Sequence, residues 1–546
     1  MAEAKTVMVS TIEKATVVRH LGGALLLCTA SCAVGLWVLA LADNAARFEM
    51  PQAYALFWIG LLCMIVPISV REFLPSTSRN ERIILLVVLG ISLYLVKVYE
   101  YPIFFTFFDE FLHWLTAQNI ANSHHLFQTN SLLPISPFYP GLEMLTNALS
   151  SITGLSVFAA GTVVGGVARL ILILALFLLF EMISSSSRIA GIGVLIYVTS
   201  PHFLFFDSQY AYETLAIPLA ILTLFALVGT IRGSLGNRLG SMVVVWLCLA
   251  AVVVTHHVTS YILIGFIIIW ALVALIRRRR PLERNVLGLL SLLGIQLVIF
   301  WLAYAGTIVL GYLSPYVFGA VQEITQLIAR DQPIRPLFVD ASGQVAPLWE
   351  RLTATGTTAL LLLLLPFALW QIWNRHRSDS LTFAFSLGAL LYPASIVLRL
   401  TDVGGELASR LSTLLYIPLA YTLARGLMIY QADLVPRWLP QFVKRTFIRL
   451  QERVLAVPAR LQQIVLVSGT AFIFVGGVIS GGGPTWSRLP GPYLVAADQR
   501  SVDAEGIDAA TWTQHYLGTH NRVATDQSNQ VLMGTYGQQD VVTEIN

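Results

Sequence analysis

The sequence contains very little charge. Only 12% of its 546 residues are Asp, Glu, Lys or Arg, whereas about 25% is usual for a soluble protein. Hydrophobic residues make up 56%. They occur in runs of roughly 18 to 25 residues, the length that a helix needs to cross a hydrocarbon layer of about 30 Å. These features exclude an ordinary soluble protein and predict an all-α polytopic membrane protein.

Cysteine is also scarce. The four cysteines are Cys28, Cys32, Cys63 and Cys248, and each lies inside an apolar run. No CxxC spacing occurs, so the sequence indicates neither a disulfide framework nor a metal held by cysteine. A cleavable signal peptide is not indicated either, because the first apolar run, 21–42, is too long for one.

The apolar runs predict about thirteen membrane-spanning helices. The predicted spans are 21–42, 52–70, 83–100, 155–183, 189–206, 211–231, 240–255, 258–276, 286–311, 355–373, 380–398, 411–430 and 462–480. A cytoplasmic N-terminus places every arginine-rich loop in the cytoplasm, as in most proteins of a plasma (inner) membrane. The C-terminus is then extracytoplasmic.

The arginine pattern also resolves the ambiguous stretch 243–280, which contains Thr255-His256-His257 between two apolar halves. Because Arg238 before it and Arg277 after it both belong to the cytoplasmic side, the chain must cross twice and turn at 255–257. Further along, basic and apolar residues alternate at helical spacing over 438–461, which predicts a helix on the cytoplasmic membrane surface.

This topology leaves four long segments outside the membrane: 101–154, 312–354, 399–410 and the tail from about 481. No cytoplasmic loop is long enough to form a domain, so any chemistry is expected on the outer side. We expect a transmembrane domain at 1–480 and a small extracytoplasmic α/β domain at 481–546.

The tail contains three short strand-like segments and one helix-like segment. The predicted strands are 491–498, 521–526 and 539–545, and the predicted helix, 508–519, has Asp508 as its expected N-cap.

The first outer segment, 101–154, contains "FFTFFDEFLHWLTAQN". A helix beginning near Asp109 brings Asp109, Glu110 and His113 onto adjoining surfaces, which suits acid/base chemistry or a metal site. In the alternative interpretation Asp109 only caps that helix, while Glu110 and His113 face water. Pro137 and Pro140 predict an extended piece, and a second helix follows.

Two other outward turns carry polar clusters. "TSPHFLFFDSQYAYETLAIP" contains Asp207, Tyr210 and Glu213, which suit a metal or a substrate hydroxyl, or else ordinary helix starts. His256 and His257 form the other cluster, either as ligands or as interfacial histidines with internal partners.

Three arginines stand out from the basic cytoplasmic loops. Arg399 and Arg410 lie on the outer side, where guanidinium groups suit a phosphate near the membrane surface. Alternatively, they pair with Asp402 and Glu406. Arg169 lies within an apolar run and is a candidate functional residue by that position, facing an outward cavity or reaching the lipid headgroups. Lys97 is expected to pair with Glu100.

The topology, the motif "FDEFLHW", the following "YPGL" and the acidic second turn together resemble the GT-C superfamily of membrane glycosyltransferases. The likeness is greatest to the branch of protein O-mannosyltransferases and lipid A aminoarabinose transferases. It implies a polyprenyl-phosphate sugar as donor, a lipid, glycan or protein as acceptor, and no nucleic acid. By resemblance Asp109 is the catalytic base, with Glu110 as neighbour or alternate, and the anomeric carbon is inverted. A divalent metal, Mg²⁺ or Mn²⁺, stays open. The histidines have no counterpart in the family motif.

Two other function classes remain as alternatives. A transporter or lipid-linked glycan flippase would contain internal repeats and interrupted spans near the midplane, and the sequence shows no repeat on inspection. A glycan polymerase or ligase would differ in its substrate rather than in its site.

Overall fold

The chain folds almost entirely into helices. The computed structural model describes residues 2–305, 307–329, 334–339, 343–375, 379–428, 458–495 and 497–542, with 2–21 described by their backbone alone. Its helices are α1 Ala2–Arg47, α2 Ala53–Phe73, α3 Arg79–Glu100, α4 Phe108–Ser123, α5 Gly141–Thr153, α6 Val157–Ser184, α7 Ser187–Val198, α8 Tyr212–Arg232, α9 Leu235–Thr255, α10 His257–Ile276, α11 Pro281–Ala305, α12 Thr307–Ala329, α13 Leu348–Arg375, α14 Ser380–Ala389, α15 Leu391–Leu398, α16 Asp402–Met428, α17 Ala459–Gly481, α18 Ala504–Leu517 and α19 Gln527–Thr535.

The all-α multi-pass prediction is confirmed. In the part of the chain that the structure describes, 11 helical segments are long and apolar enough to cross a membrane. They correspond to eleven of the predicted spans, with α14 and α15 together forming one of them. The chain is therefore a multi-pass membrane protein.

Two predicted spans differ from the structure. The run 189–206 forms only the 12-residue helix α7, because the chain leaves the helix after Val198 and turns. The run 411–430 lies, as far as Met428, in α16, a helix of 27 residues that begins at Asp402 and is not among the 11 segments. The predicted membrane-surface helix, 438–461, lies almost wholly outside the described residues.

The structure divides 243–280 into two helices at the predicted turn, and each is long and apolar enough to cross a membrane. Helix α9 ends at Thr255 and α10 begins at His257, while His256 between them is extended, with φ of −154°. Helix α5 packs closely here, since a Cβ on Gly141 would lie 2.1 Å from Oγ1 of Thr255. The first loop is thus held against this turn, and its helix–extended–helix pattern is as predicted.

The contacts define two ends of the helix bundle. One end, called the arginine end, contains ion pairs between helix termini, such as Arg79–Glu181 and Arg232–Asp379. The other, called the Asp109 end, contains α4, α5, the turn after α7, the α9–α10 turn and the start of α16. The segments predicted to face outward therefore meet one another.

The C-terminal segment is less strand-like than predicted. Its two strands, β1 Arg522–Val523 and β2 Asp540–Val541, pair in parallel, while the first predicted strand, 491–498, does not form. Helix α18 begins after Asp503, whose side chain accepts a hydrogen bond from the backbone N–H of Gly506. Asp508 was therefore the wrong N-cap, because the helix starts one turn earlier.

This segment packs against the first loop. Phe111 of α4 shares a buried cluster with Ala510, Val531 and Leu532, and the rings of Trp114 and Tyr536 meet edge to face at 4.8 Å.

Candidate functional site

Glu110 fixes the start of α4. Its carboxylate accepts hydrogen bonds from the backbone N–H groups of Thr106 and Phe107, each at 3.2 Å, and from that of Tyr210 at 3.0 Å. It also forms a buried ion pair with Lys97. Because Glu110 is fully buried and every one of these contacts is internal, its geometry is that of a positioning residue.

Lys97 does not pair with Glu100, as the sequence suggested. Its ammonium group binds Glu110 and lies 5.6 Å from the centre of the Phe105 ring. Glu100 is buried beside Asp43, and its carboxylate has no hydrogen-bond partner among the described residues. The loop that folds back over α3 supplies the better partner, which spacing within one helix does not reveal.

Asp109, the adjacent residue, has the opposite surroundings. Its side chain is half-buried, and within the described ranges it makes no hydrogen bond or ion pair. Its carboxylate acts electrostatically on Arg410 more strongly than any other anionic group near that guanidinium. Asp109 therefore has free lone pairs, as a proton acceptor requires, and it lies close to the cation Arg410.

Tyr212 links the three predicted clusters. Its ring lies between two imidazoles, with centroid distances of 4.2 Å to His113 and 4.2 Å to His256. Each imidazole has a glutamate partner: Nδ1 of His113 lies 2.8 Å from Oε1 of Glu143, and Nε2 of His256 lies 3.5 Å from Oε1 of Glu213. The first loop, the turn before α8 and the α9–α10 turn are thus connected.

These partners bear on the predicted acid/base and metal roles. His113 faces Glu143 rather than Asp109, because α5 lies against that side of α4. No three His, Cys, Asp or Glu side chains in the described chain are grouped as ligands for a metal ion. The described side chains alone therefore form no three-ligand site for Mg²⁺ or Mn²⁺.

A small cavity of about 40 Å³ lies beside Tyr212. Glu213, His257, Tyr312 and Arg410 contribute to its wall. Arg410 also pairs with Glu406, with Nη2 3.3 Å from Oε1, so this part of the predicted alternative is correct. Arg410 nonetheless faces the cavity and Asp109, and it is the cation of this site.

A much larger cavity, of about 920 Å³, lies nearby and contains Arg399 in its wall. The predicted pairing of Arg399 with Asp402 or Glu406 is wrong, because Asp402 lies beside Arg335, 3.5 Å away, and Glu406 beside Arg410. The Arg399 guanidinium has no hydrogen bond or ion pair with any residue that the structure describes. It is a cation open to a ligand.

The turn after α7 contributes to both cavities, with Pro201 in the wall of the larger and Phe206 in the wall of the smaller. Arg169 is buried there and donates hydrogen bonds to the carbonyl of Phe203 at 2.8 Å and to Oγ of Ser208 at 2.7 Å. It does not reach the headgroups and is absent from the walls of the two cavities described above, and it stabilises this turn. His202 lies near both Arg399 and Arg410, so this turn is close to the cations of both cavities.

Asp207 and Tyr210 are buried in the same turn. Oδ1 of Asp207 accepts a hydrogen bond from Thr413 at 2.9 Å, and burial raises the pKa of Asp207 to about 6. The ring of Tyr210 stacks on Phe105 at 4.9 Å. Asp207 contributes to the wall of the small cavity, whereas Tyr210 packs in the core.

Sequence reasoning missed Glu143, Tyr212 and Tyr312. Glu143 follows "YPGL" directly and lies on an otherwise amphipathic helix, and Tyr212 is adjacent to Glu213. A buried glutamate needs a partner. Glu143 and His113 lie in the same loop, so their pairing could have been predicted from the sequence. Tyr312 lies in α12, far along the chain, where the sequence has no comparable signal.

Comparisons with known proteins found no matching protein family and no matching curated protein. The chain is similar to the crystal structure of ArnT from Cupriavidus metallidurans bound to undecaprenyl phosphate, with 12% identity, a TM-score of 0.49, and 84% of this chain and 85% of that chain covered. It is also similar to ArnT of the same organism in the apo state, with 12% identity, a TM-score of 0.47, and 83% and 84% covered. The assignment of the site rests on the residues of this chain.

Proposed function

We propose that the protein is a membrane glycosyltransferase of the GT-C type, which moves a sugar from a polyprenyl-phosphate donor to an acceptor on the extracytoplasmic side. The observation that carries the proposal is the surroundings of Asp109. This carboxylate has no internal partner in the described chain, lies near a cation, and belongs to the end where the predicted outward segments meet.

Asp109 acts as the general base. An acceptor hydroxyl attacks the anomeric carbon, and its proton passes to the Asp109 carboxylate as the new C–O bond forms and the bond to the lipid phosphate breaks. A single direct displacement inverts the anomeric carbon. Glu110 holds the start of α4 through its bonds to Lys97 and the backbone, and so fixes the position of Asp109.

Arg399 and Arg410 supply positive charge for the phosphate. Charge grows on the leaving phosphate as the glycosidic bond breaks, and guanidinium groups stabilise it through paired hydrogen bonds. The cavity beside Arg399, of about 920 Å³, offers space next to this cation for the phosphate headgroup of the donor.

The Tyr212 cluster orients the region around the base. His113, Tyr212 and His256 join α4, α8 and α10, so that Asp109 and Arg410, which come from distant parts of the chain, keep a fixed separation. Their role is positioning, since the two imidazoles bind Glu143 and Glu213 and the Tyr212 ring packs between them.

Mass spectrometry of lipids that copurify with the full-length protein tests the proposal. We expect a polyprenyl phosphate sugar, or polyprenyl phosphate alone after turnover, and we expect Arg399→Ala to reduce its amount. A complete lipid-linked oligosaccharide that is bound without any transfer activity would contradict the proposal and would favour a flippase.

A further inference from the structure

A third cavity, of about 180 Å³, lies between the start of α4 and the C-terminal segment. Thr106 and Phe108 form one wall, and the opposite wall includes Tyr493, Asp498 and Gln527. The proposed donor cavities do not share these residues. Its volume is close to that of one sugar ring rather than a lipid chain.

The wall carries the chemical groups that bind polyhydroxylated ligands. A carboxylate accepts hydrogen bonds from hydroxyl groups, a primary amide both donates and accepts, and aromatic rings pack on the apolar face of a sugar. Asp498, Gln527 and Tyr493 supply one of each type. Within the described parts of the chain, none of these three side chains has a hydrogen-bond partner.

The cavity lies next to the proposed base. Phe108, which precedes Asp109, is part of its wall, and the Asp109 carboxylate acts electrostatically on Asp498. The same carboxylate acts on Arg410 at the donor side. Asp109 thus lies between a cavity rich in hydrogen-bonding groups and the cations proposed for the phosphate.

We propose that this cavity, which we call the Asp498 cavity, binds the acceptor, and that the acceptor is a sugar. The inference rests on the proposed function, in which Asp109 is the base. A sugar bound in this cavity would present a hydroxyl group to Asp109 from the side opposite the donor. The sugar is either the headgroup of a glycolipid or part of a soluble or protein-linked glycan. Both present the same hydroxyl chemistry to Asp498 and Gln527.

Photo-crosslinking of the full-length protein in its native membrane tests this directly. Tyr493→p-benzoylphenylalanine places the crosslinker in the Asp498 cavity, and Gln527→p-benzoylphenylalanine gives a second position. Tyr516→p-benzoylphenylalanine is the matched control, because Tyr516 is 67% exposed and Tyr493 54% exposed on the same segment, while Tyr516 is absent from the cavity wall.

We expect sugar-containing adducts at 493 or 527, at least fivefold above those at 516, and their loss when Asp498→Ala is added. Adducts that partition into organic solvent identify a glycolipid, and water-soluble adducts identify a glycan. Equal labelling at 516, adducts without sugar, or no adduct at 493 and 527 overturns the inference.

The copurified donor lipid is measured on the same samples, which separates the two proposals. Sugar adducts without a copurified polyprenyl phosphate would support the sugar-binding cavity but contradict the proposed glycosyltransferase function. A copurified polyprenyl phosphate sugar without sugar adducts would contradict only the proposal that the Asp498 cavity binds the acceptor.

Discussion

The two ends of the helix bundle use charge differently. At the arginine end, charged side chains bind each other: Arg82 and Glu72 are both buried and lie 3.0 Å apart, and Arg79 and Glu181 lie 2.7 Å apart. At the Asp109 end, Asp109, Arg399 and Asp498 have no hydrogen bond or ion pair with any described residue.

This difference indicates where ligands bind. A charge in poorly hydrated surroundings is costly unless a partner compensates it. At the arginine end the partner is internal, so the charges stabilise helix termini. At the Asp109 end Glu110 and Arg410 also have internal partners. The described protein supplies none for Asp109, Arg399 and Asp498, and we infer that substrate supplies it for these three. The comparison predicts that substitutions of internally paired charges change stability, whereas substitutions of the unpaired charges at the Asp109 end change activity.

The largest effect is expected for Asp109→Asn. Removal of the general base lowers the transfer rate by about 10²- to 10⁴-fold, while the thermal unfolding of the purified protein stays unchanged because no internal contact is lost. The rate of sugar transfer from the lipid donor measures the first effect. Transfer at the wild-type rate would remove Asp109 from the mechanism.

Glu110→Gln is expected to act on stability instead. It leaves the Lys97 ammonium without its counter-charge in a buried position, and breaking a buried pair costs about 3–5 kcal/mol. Thermal unfolding in detergent measures the loss. The matched control is Glu505→Gln, since Glu505 is exposed on α18. If Glu110→Gln keeps full stability and only activity falls, Glu110 is the base rather than its support.

The multi-pass fold was predictable because apolar runs and arginine placement are local properties of the chain. The same logic located the α9–α10 turn and placed Asp109, Glu213 and His256 on one side, and the structure groups them at one end of the bundle. Helix α7 was mistaken for a full span because its hydropathy continues into "TSPHFLFF", where Phe203, Leu204 and Phe205 are buried by packing rather than by lipid.

Partners of individual side chains were less predictable. Spacing favoured Lys97 with Glu100 and Arg399 with Asp402, but tertiary contacts across distant segments gave other partners. Glu110 meets Lys97 only because the first loop folds back over α3, and Asp402 meets Arg335 only because the segment before α13 returns to α16. Such pairings depend on how whole helices and loops pack together. That packing cannot be predicted from the spacing of residues in a single sequence.

An intermediate effect is expected for Arg399→Ala. A hydrogen bond to a charged group contributes about 1.5–3 kcal/mol, so the KM for the lipid donor should rise about 10- to 150-fold. Stability should not fall, because Arg399 has no partner to lose among the described residues. Arg399→Lys is the matched control and should recover part of the affinity by charge alone. An unchanged KM would show that Arg399 does not bind the donor phosphate, and Arg410 would then be the cation proposed for it.

The smallest effect is expected for Arg79→Ala at the arginine end. The pair with Glu181 is short, but the side chains are 48% and 21% exposed, and exposed ion pairs contribute about 0.2–1 kcal/mol. We expect a slight fall in the unfolding temperature, which disappears in high salt because exposed charges are screened, and an unchanged KM for the donor. Since Arg79→Ala and Arg399→Ala remove the same side chain from opposite ends, a rise in KM for both would show that surface charge in general attracts the donor. A rise for Arg399→Ala alone would show that position, not arginine content, determines function.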